Sequence, residues 1–194
     1  MEVPSVGTPS VIDTRARGPR LYHVHQDHPL AVALLAELAI DHSIRYGGTA
    51  GAIHRRLRDC PAADYSAPDG DLLVLVDHGD PVAGGGFRRF DPATAEIQRV
   101  WTAREHRRGG RATRVLAELE AEMVRLGYRE ALVTAGDRQP EARALYRAAG
   151  YAEVGSGAAC FFRFAKALGA GARQLGTTTP GAAARTRGRG RRRG

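Results

Sequence analysis

The sequence is short of several things. It has two cysteines, Cys60 and Cys160, in 194 residues. A disulfide framework is therefore excluded, and the usage fits a reducing cytoplasm. No apolar run approaches the roughly 18 residues of a membrane span. The opening MEVPSVGTPS has no basic stretch followed by an apolar one, which predicts no secretory leader. There is no G-x-x-x-x-G-K-[ST] loop and no G-x-G-x-x-G fingerprint, so neither a Walker nucleotide site nor a dinucleotide fold is indicated. Acidic residues are absent from 169–194, while seven arginines (173, 185, 187, 189, 191, 192 and 193) fall there. The whole chain carries a net charge of +8, and these seven leave +1 on the first 168 residues. The body is nearly neutral, so an electrostatic argument for nucleic acid concerns the tail alone.

What is present is ordinary globular composition, 43% hydrophobic and 26% charged. Residues 1–19 are rich in Pro, Gly, Ser and Thr without a period and read as a flexible leader. Residues 169–194 lack the apolar surface to offset ordering and read as a disordered Arg/Gly-rich tail. One domain, 20–168, lies between. Its pattern predicts strands over 20–25, 71–76, 82–90, 96–102, 130–135, 151–154 and 160–164. Helices are predicted over 30–40, 52–58, 112–126 and 140–149, with a break at 41–51. Runs of strands with segregated helices indicate a mixed α/β sheet.

The stretch that carries chemistry runs from Glu96 to Tyr151. A strand ends at Thr102, and Arg107-Arg108-Gly109-Gly110 then opens a long helix. Glycine there permits strained φ and close approach of a ligand to the backbone. Free amides and the helix dipole make an anion site, and Arg104, Arg107, Arg108 and Arg111 add charge. These are the physical requirements of a pyrophosphate cradle; an ordinary helix entry with a solvated basic surface has the same local features.

Two blocks then resemble the GCN5-related N-acetyltransferase (GNAT) superfamily. The phosphate motif R/Q-x-x-G-x-G/A is matched by Arg107, Gly110 and Ala112. The block N-x-x-A-x-x-L-Y followed by G-F or G-Y is matched by Gln139-Pro140-Glu141-Ala142-Arg143-Ala144-Leu145-Tyr146 and Gly150-Tyr151. The likeness spans about 20–168 and is sharpest over 96–151. Gln139 replaces the usual asparagine, and Arg111 stands where an apolar residue is usual.

The resemblance implies an α+β fold. Its central sheet is mixed and mostly antiparallel, of six to seven strands flanked by helices. Two splayed parallel strands, here 96–102 and 130–135, form the acyl-CoA cleft. It implies an acetyl-CoA-dependent N-acetyltransferase acting on a primary amine. Pantetheine would lie along Val100, Trp101 and Thr102. Pyrophosphate would lie on the amides of Arg107, Arg108, Gly109, Gly110, Arg111 and Ala112, with Thr113 and Gln139 also at the cofactor. Tyr146 matches the family's acid. Glu96, eleven residues before Arg107, matches the register of a base that some members carry; a solvated strand carboxylate fits the same position. Tyr46-Gly47-Gly48 falls where the family places acceptor loops, and a simple turn fits it equally.

Other features carry less. His23, His25 and His28 lack the further ligands of a zinc pattern and read as surface residues. Gly84-Gly85-Gly86 leads into a strand, not a helix, and reads as a bulge or close backbone approach. Cys160 reads as a buried, inert thiol. Two other function classes stay open: nucleic-acid binding through the tail, and a non-catalytic acyl-CoA-binding protein on the same fold. A small-molecule or peptide amine is the expected partner; a homodimer is left open.

Overall fold

The computed structural model describes residues 10–11, 18–156 and 160–169. Its eight strands form one sheet: β1 (Ser10–Val11), β2 (Arg20–His23), β3 (Asp71–Asp77), β4 (Asp80–Arg89), β5 (Thr94–Thr102), β6 (Glu130–Gly136), β7 (Ala152–Ser156) and β8 (Phe161–Ala167), in the order β1-β2-β3-β4-β5-β6-β8-β7. Only β5 and β6 pair in parallel. Seven of the strands are four residues or longer, so the sheet expected from the resemblance is present. β1 is a two-residue stub paired with Tyr22 and His23 inside the stretch read as a leader. Residues 1–9 and 12–17 of that leader, and the tail beyond Gly169, lie outside the described residues.

Helices cover both faces. α1 (Pro29–Tyr46) and α2 (Ala50–Arg58) lie on one, and α3 (Arg111–Arg125) and α4 (Pro140–Ala148) on the other. In α1 the buried set Ala31, Leu34, Leu35, Leu38 and Ala39 repeats at helical spacing. Together with Leu72 and Val74 of β3 it forms one half of the core. Pro29 opens the helix, and His28 Nδ1 accepts the Leu30 amide at 3.3 Å. In α3 the buried stripe is Val115, Leu116, Leu119 and Met123, which packs with Leu73, Leu75, Ile97 and Val133 in the other half.

α1 runs six residues past its expected end at 40. The apolar pattern stops there, but Arg45 holds Asp41 one turn back at 2.6 Å. The helix terminates only at Gly47, where φ is +82°. α3 and α4 stop where their glycines predict. The Tyr128 amide donates to the Met123 carbonyl beyond Gly127, and Tyr151 donates to Tyr146 beyond Gly150. The second of these turns fixes Tyr146 at the end of α4. The glycine run is internal to β4, and a side chain at Gly84 would strike Leu34 and the Leu73 carbonyl. Cys160 contradicts its expectation: it is exposed on the turn before β8, because that strand starts one residue later, at Phe161.

Among the described residues no group of three or more candidate metal ligands converges, and His23 is paired with a carboxylate instead. Its Nδ1 pairs with Asp71 Oδ2 at 2.5 Å across β2 and β3. This hydrogen bond, with Asp71 and Glu122 charges nearby and against burial and Arg125, raises the His23 pKa above its ordinary value. A raised folded pKa means stability that is present below about pH 6.5 and lost as pH rises through the folded value. His23→Gln is therefore expected to lower stability by up to about 1 kcal/mol at pH 5.5 and by less at pH 9. Urea titrations at the two pH values check this; an equal loss at both would exclude the charged pair.

Candidate active site

β5 and β6 are nine and seven residues long, yet they pair over only four rungs, Thr94–Ile97 with Glu130–Val133. Beyond Ile97 they part. The cause lies in β5. Gln98 pairs with Gly86 and Trp101 with Gly84, so two residues of β5 oppose the single Gly85. Arg99 takes up the extra length with φ at +61°. Such a bulge bends its strand and re-aims the side chains that follow. The gap it opens is part of a cavity of 1810 Å³, large for a small-molecule site and roomy enough for two substrates. Glu96, Val100, Trp101 and Thr102 line it from β5, and Val133, Thr134 and Gly136 from β6.

One end of the cavity is built from backbone. Arg108 and Gly110 both have positive φ, at +60° and +74°. Gly110 caps α3 in the left-handed conformation without any side-chain cap. Among the described residues, no carbonyl or side chain accepts the amide of Arg108, Gly109, Gly110, Arg111, Ala112 or Thr113; the first helical bond runs from Arg114 to Gly110. Six adjacent free N–H groups at the positive end of a 15-residue helix form a concave anion receptor. Arg104, Arg107 and Arg108 surround it, all exposed. Arg111 does not. Its guanidinium turns back to Asp77 at 3.4 Å and to the His106 carbonyl at 3.5 Å, which explains how a cation is accommodated at this position. Arg107 donates to the Thr102 carbonyl at 3.0 Å and pairs with Asp41 at 3.2 Å.

Tyr146 lines the middle of the cavity. Its ring is buried against Tyr151 and Phe164, with centroids 5.9 Å away in each case. Among the described residues its hydroxyl has no hydrogen-bond partner, and burial raises its pKa. The residue is thus both a core aromatic and a protonated phenol at the cavity wall.

Glu96 lines the same cavity from the opposite strand. All its hydrogen bonds reach Oε2: Arg88 Nη2 at 3.0 Å, Arg88 Nε at 3.2 Å and Gln98 Nε2 at 2.8 Å. Gln98 is held in turn by the Tyr65 hydroxyl at 2.6 Å. Nothing among the described residues bonds Oε1, which leaves one oxygen fixed and one open. Gln139 is turned inward: its Oε1 accepts the Gly136 amide at 2.9 Å, closing the loop that precedes α4.

A further set of residues, most of them outside the two motif blocks, roofs the cavity. Arg45 of α1 reaches Glu141 of α4 at 2.5 Å and the Arg138 carbonyl at 2.7 Å, while Arg138 returns a bond to the Arg45 carbonyl. Tyr46 lies against Gly136 and lines the cavity, so the Tyr46-Gly47-Gly48 segment is both a helix end and a wall. His42, one turn earlier, stacks edge-on with Tyr46 at 6.1 Å. The one sequence signal for this roof is the i, i+4 pair of Asp41 and Arg45 beside a Tyr-Gly-Gly turn.

An open α/β sheet whose one parallel pair splays beside an amide-lined helix entry is the architecture of an acyl-CoA acyltransferase. Residues 32–151 match the profile of the acetyltransferase (GNAT) family. The chain belongs to that family. No curated protein matches its sequence at a significant level. Solved structures do match its fold. The GNAT domain of S. lividans PAT aligns at TM-score 0.62 and 17% identity, covering 82% of this chain and 97% of that one. An acetyltransferase from Thermus thermophilus aligns at 0.60 and 18%, covering 76% and 97%. An aminoglycoside 6'-N-acetyltransferase complexed with coenzyme A aligns at 0.60 and 15%, covering 76% and 96%.

A Cβ on Gly136 would collide with the Tyr46 hydroxyl. Gly136→Ala is expected to cost roughly 1–2 kcal/mol, an overpacking penalty. In a Tyr46→Ala background the same change is expected to cost a few tenths. A double-mutant cycle by thermal denaturation measures the difference; additive losses would show that the two residues do not meet in solution.

Proposed function

We propose that the protein is an acetyl-CoA-dependent N-acetyltransferase that acetylates a primary amine by direct attack in a ternary complex. The observation that carries this is the run of six free amides at the left-handed Gly110 cap, opening onto the β5–β6 gap. The pyrophosphate of the donor fits those amides, with Arg104, Arg107 and Arg108 around it. Arg111 contributes its amide but not its side chain. The pantetheine arm fits the backbone of Val100, Trp101 and Thr102, which has lost β6 as a hydrogen-bonding neighbour. Gln139 contributes by holding the Gly136 loop, so its part at the cofactor is indirect.

The remaining groups supply the chemistry. An amine must be neutral to attack a thioester carbonyl. Glu96 Oε1 takes the ammonium proton directly or through one water, while Arg88 and Gln98 hold the other oxygen still. The amine nitrogen forms a bond to the carbonyl carbon, and a backbone amide of β5 receives the negative charge on oxygen. The C–S bond then breaks. Tyr146 gives its proton to the departing thiolate, the nitrogen passes its second proton through water to the resulting phenolate, and Glu96 returns the first to solvent. Burial keeps the phenol protonated through neutral and alkaline pH, as a donor requires.

Gly110→Glu is expected to abolish acetyl-CoA binding in a calorimetric titration, through charge repulsion and strain at a positive φ. Wild-type protein that shows no heat of binding would overturn the reading. Tyr146→Phe is expected to lower kcat by about tenfold or more while acetyl-CoA affinity holds. Glu96→Gln is expected to lower activity at neutral pH and to recover in alkali, where the acceptor is already neutral. A pH profile identical to wild type would remove Glu96 from proton transfer.

A further inference from the structure

The motifs say nothing about the acceptor, but the cavity's charges do once each is matched with its partner. Three carboxylates line the part of the cavity bounded by α1, α2 and the start of α4, and all three are already neutralised. Asp41 is held by Arg45 at 2.6 Å and by Arg107 at 3.2 Å. Glu141 is held by Arg45 at 2.5 Å, and Glu96 by Arg88 at 3.0 Å. The other lining carboxylate, Glu105, is exposed on the turn entering the phosphate loop.

Two guanidinium groups on the same side have no such partner. Arg99 is 7% exposed. Strand alternation would send it to the α3 face with Ile97, but the bulge turns it onto the α1–α2 face beside Gln98. There it donates to Gln26 Oε1 at 2.7 Å and to the Leu57 carbonyl at 2.6 Å, with the Tyr65 ring 3.6 Å beneath. All three are neutral. Arg56 is exposed on α2 and lines the cavity with Ala52, one turn before it. Among the described residues neither Arg56 nor Arg99 lies within ion-pair distance of a carboxylate. His42 beside them adds no compensating negative charge; its pKa is lowered, chiefly by burial and further by Arg45 and Arg56 against Asp41, so it is neutral at pH 7.

A cation taken out of water without a counter-charge is costly, and a ligand anion relieves that cost. A polycationic acceptor would find no carboxylate here that lacks an arginine partner, and two unneutralised cations. We propose that the acceptor is an amine that also carries a carboxylate or comparable anionic group, received by Arg56 and Arg99, and that polyamines and aminoglycosides are rejected. This rests on the acetyltransferase reading above and names the substrate class for that site.

Matched pairs test it: amino acids and their carboxamides, offered to the full chain at saturating acetyl-CoA, with spermidine and kanamycin alongside. Free CoA release is the readout. Each carboxamide has the less basic amine, so intrinsic reactivity at pH 7 favours it, and a preference for the acid must come from the protein. The acids are expected to exceed their amides in kcat/KM by about tenfold or more for the pairs that react. In Arg56→Gln this ratio is expected to shrink severalfold through KM of the acid, with kcat and the amide's constants little changed. Equal or better use of the amides, turnover of spermidine or kanamycin above the acids, no turnover of any acid, or an acid preference kept in full by Arg56→Gln would each overturn the inference. Calorimetry with acetyl-CoA on the same samples separates the two layers. Donor binding with no acid preference overturns the acceptor class alone, whereas failure to bind acetyl-CoA overturns the reading beneath it.

Discussion

The site depends on one irregularity, the extra residue of β5 at Arg99. Without it β5 and β6 would continue as a regular parallel pair and no gap would exist between them. The bulge costs a non-glycine residue in the left-handed region, of order 1 kcal/mol. Such a conformation persists only where its surroundings fix it. Here they do: Gly85 opposite leaves room for Val100, and the Arg99 side chain is tied to Gln26, Leu57 and Tyr65. Gln26 in turn donates to the Arg58 and Cys60 carbonyls, so the end of α2 is fastened to the same point. The strand defect and the helix that walls the cavity are therefore one mechanical unit.

How much of this the sequence discloses follows from the range over which each feature is decided. The phosphate loop is local. Arg107 through Ala112 are contiguous, and Gly110 is needed for the backbone alone, so the turn that frees these amides is visible in the sequence. Tyr146 is local too, set by Pro140 at one end of α4 and Gly150 at the other. The last turns of α1 are not, since the hydrophobic pattern ends at Ile40 while ion pairs carry the helix on to Tyr46. The orientation of Arg99 is hidden for a related reason. A period of two puts 97 and 99 on one face, and only the pairing with β4 shows that the period is broken. Arg111 is also decided at a distance, by Asp77 on β3.

In the mechanism we propose, Glu96 and Tyr146 divide the proton chemistry by environment. Both are at the cavity wall, but Tyr146 sits in an apolar shell that favours its neutral form. Glu96 accepts from Arg88 and Gln98 on one carboxylate oxygen and leaves the other open to the cavity. The proposed mechanism asks Tyr146 to give a proton and Glu96, through its open oxygen, to take one. That separation is what opposite roles in a single transfer require.

The two ends of the cavity are built from different material. The end toward α3 uses main-chain amides and a glycine, which any sequence can supply if the turn is kept. The end toward α1 and α2 uses side chains: Arg45, Arg56, Arg99, Asp41 and Glu141. A backbone receptor recognises what every donor molecule shares, namely a pyrophosphate. Side chains recognise what differs between acceptors, and one substitution can reverse their charge. Asp41 joins the two, since it holds Arg45 of the roof and Arg107 of the phosphate loop at once. On the reading proposed above, the amide-lined cleft meets the general need of binding the donor, and the pairing state of a few arginines sets the particular choice of amine.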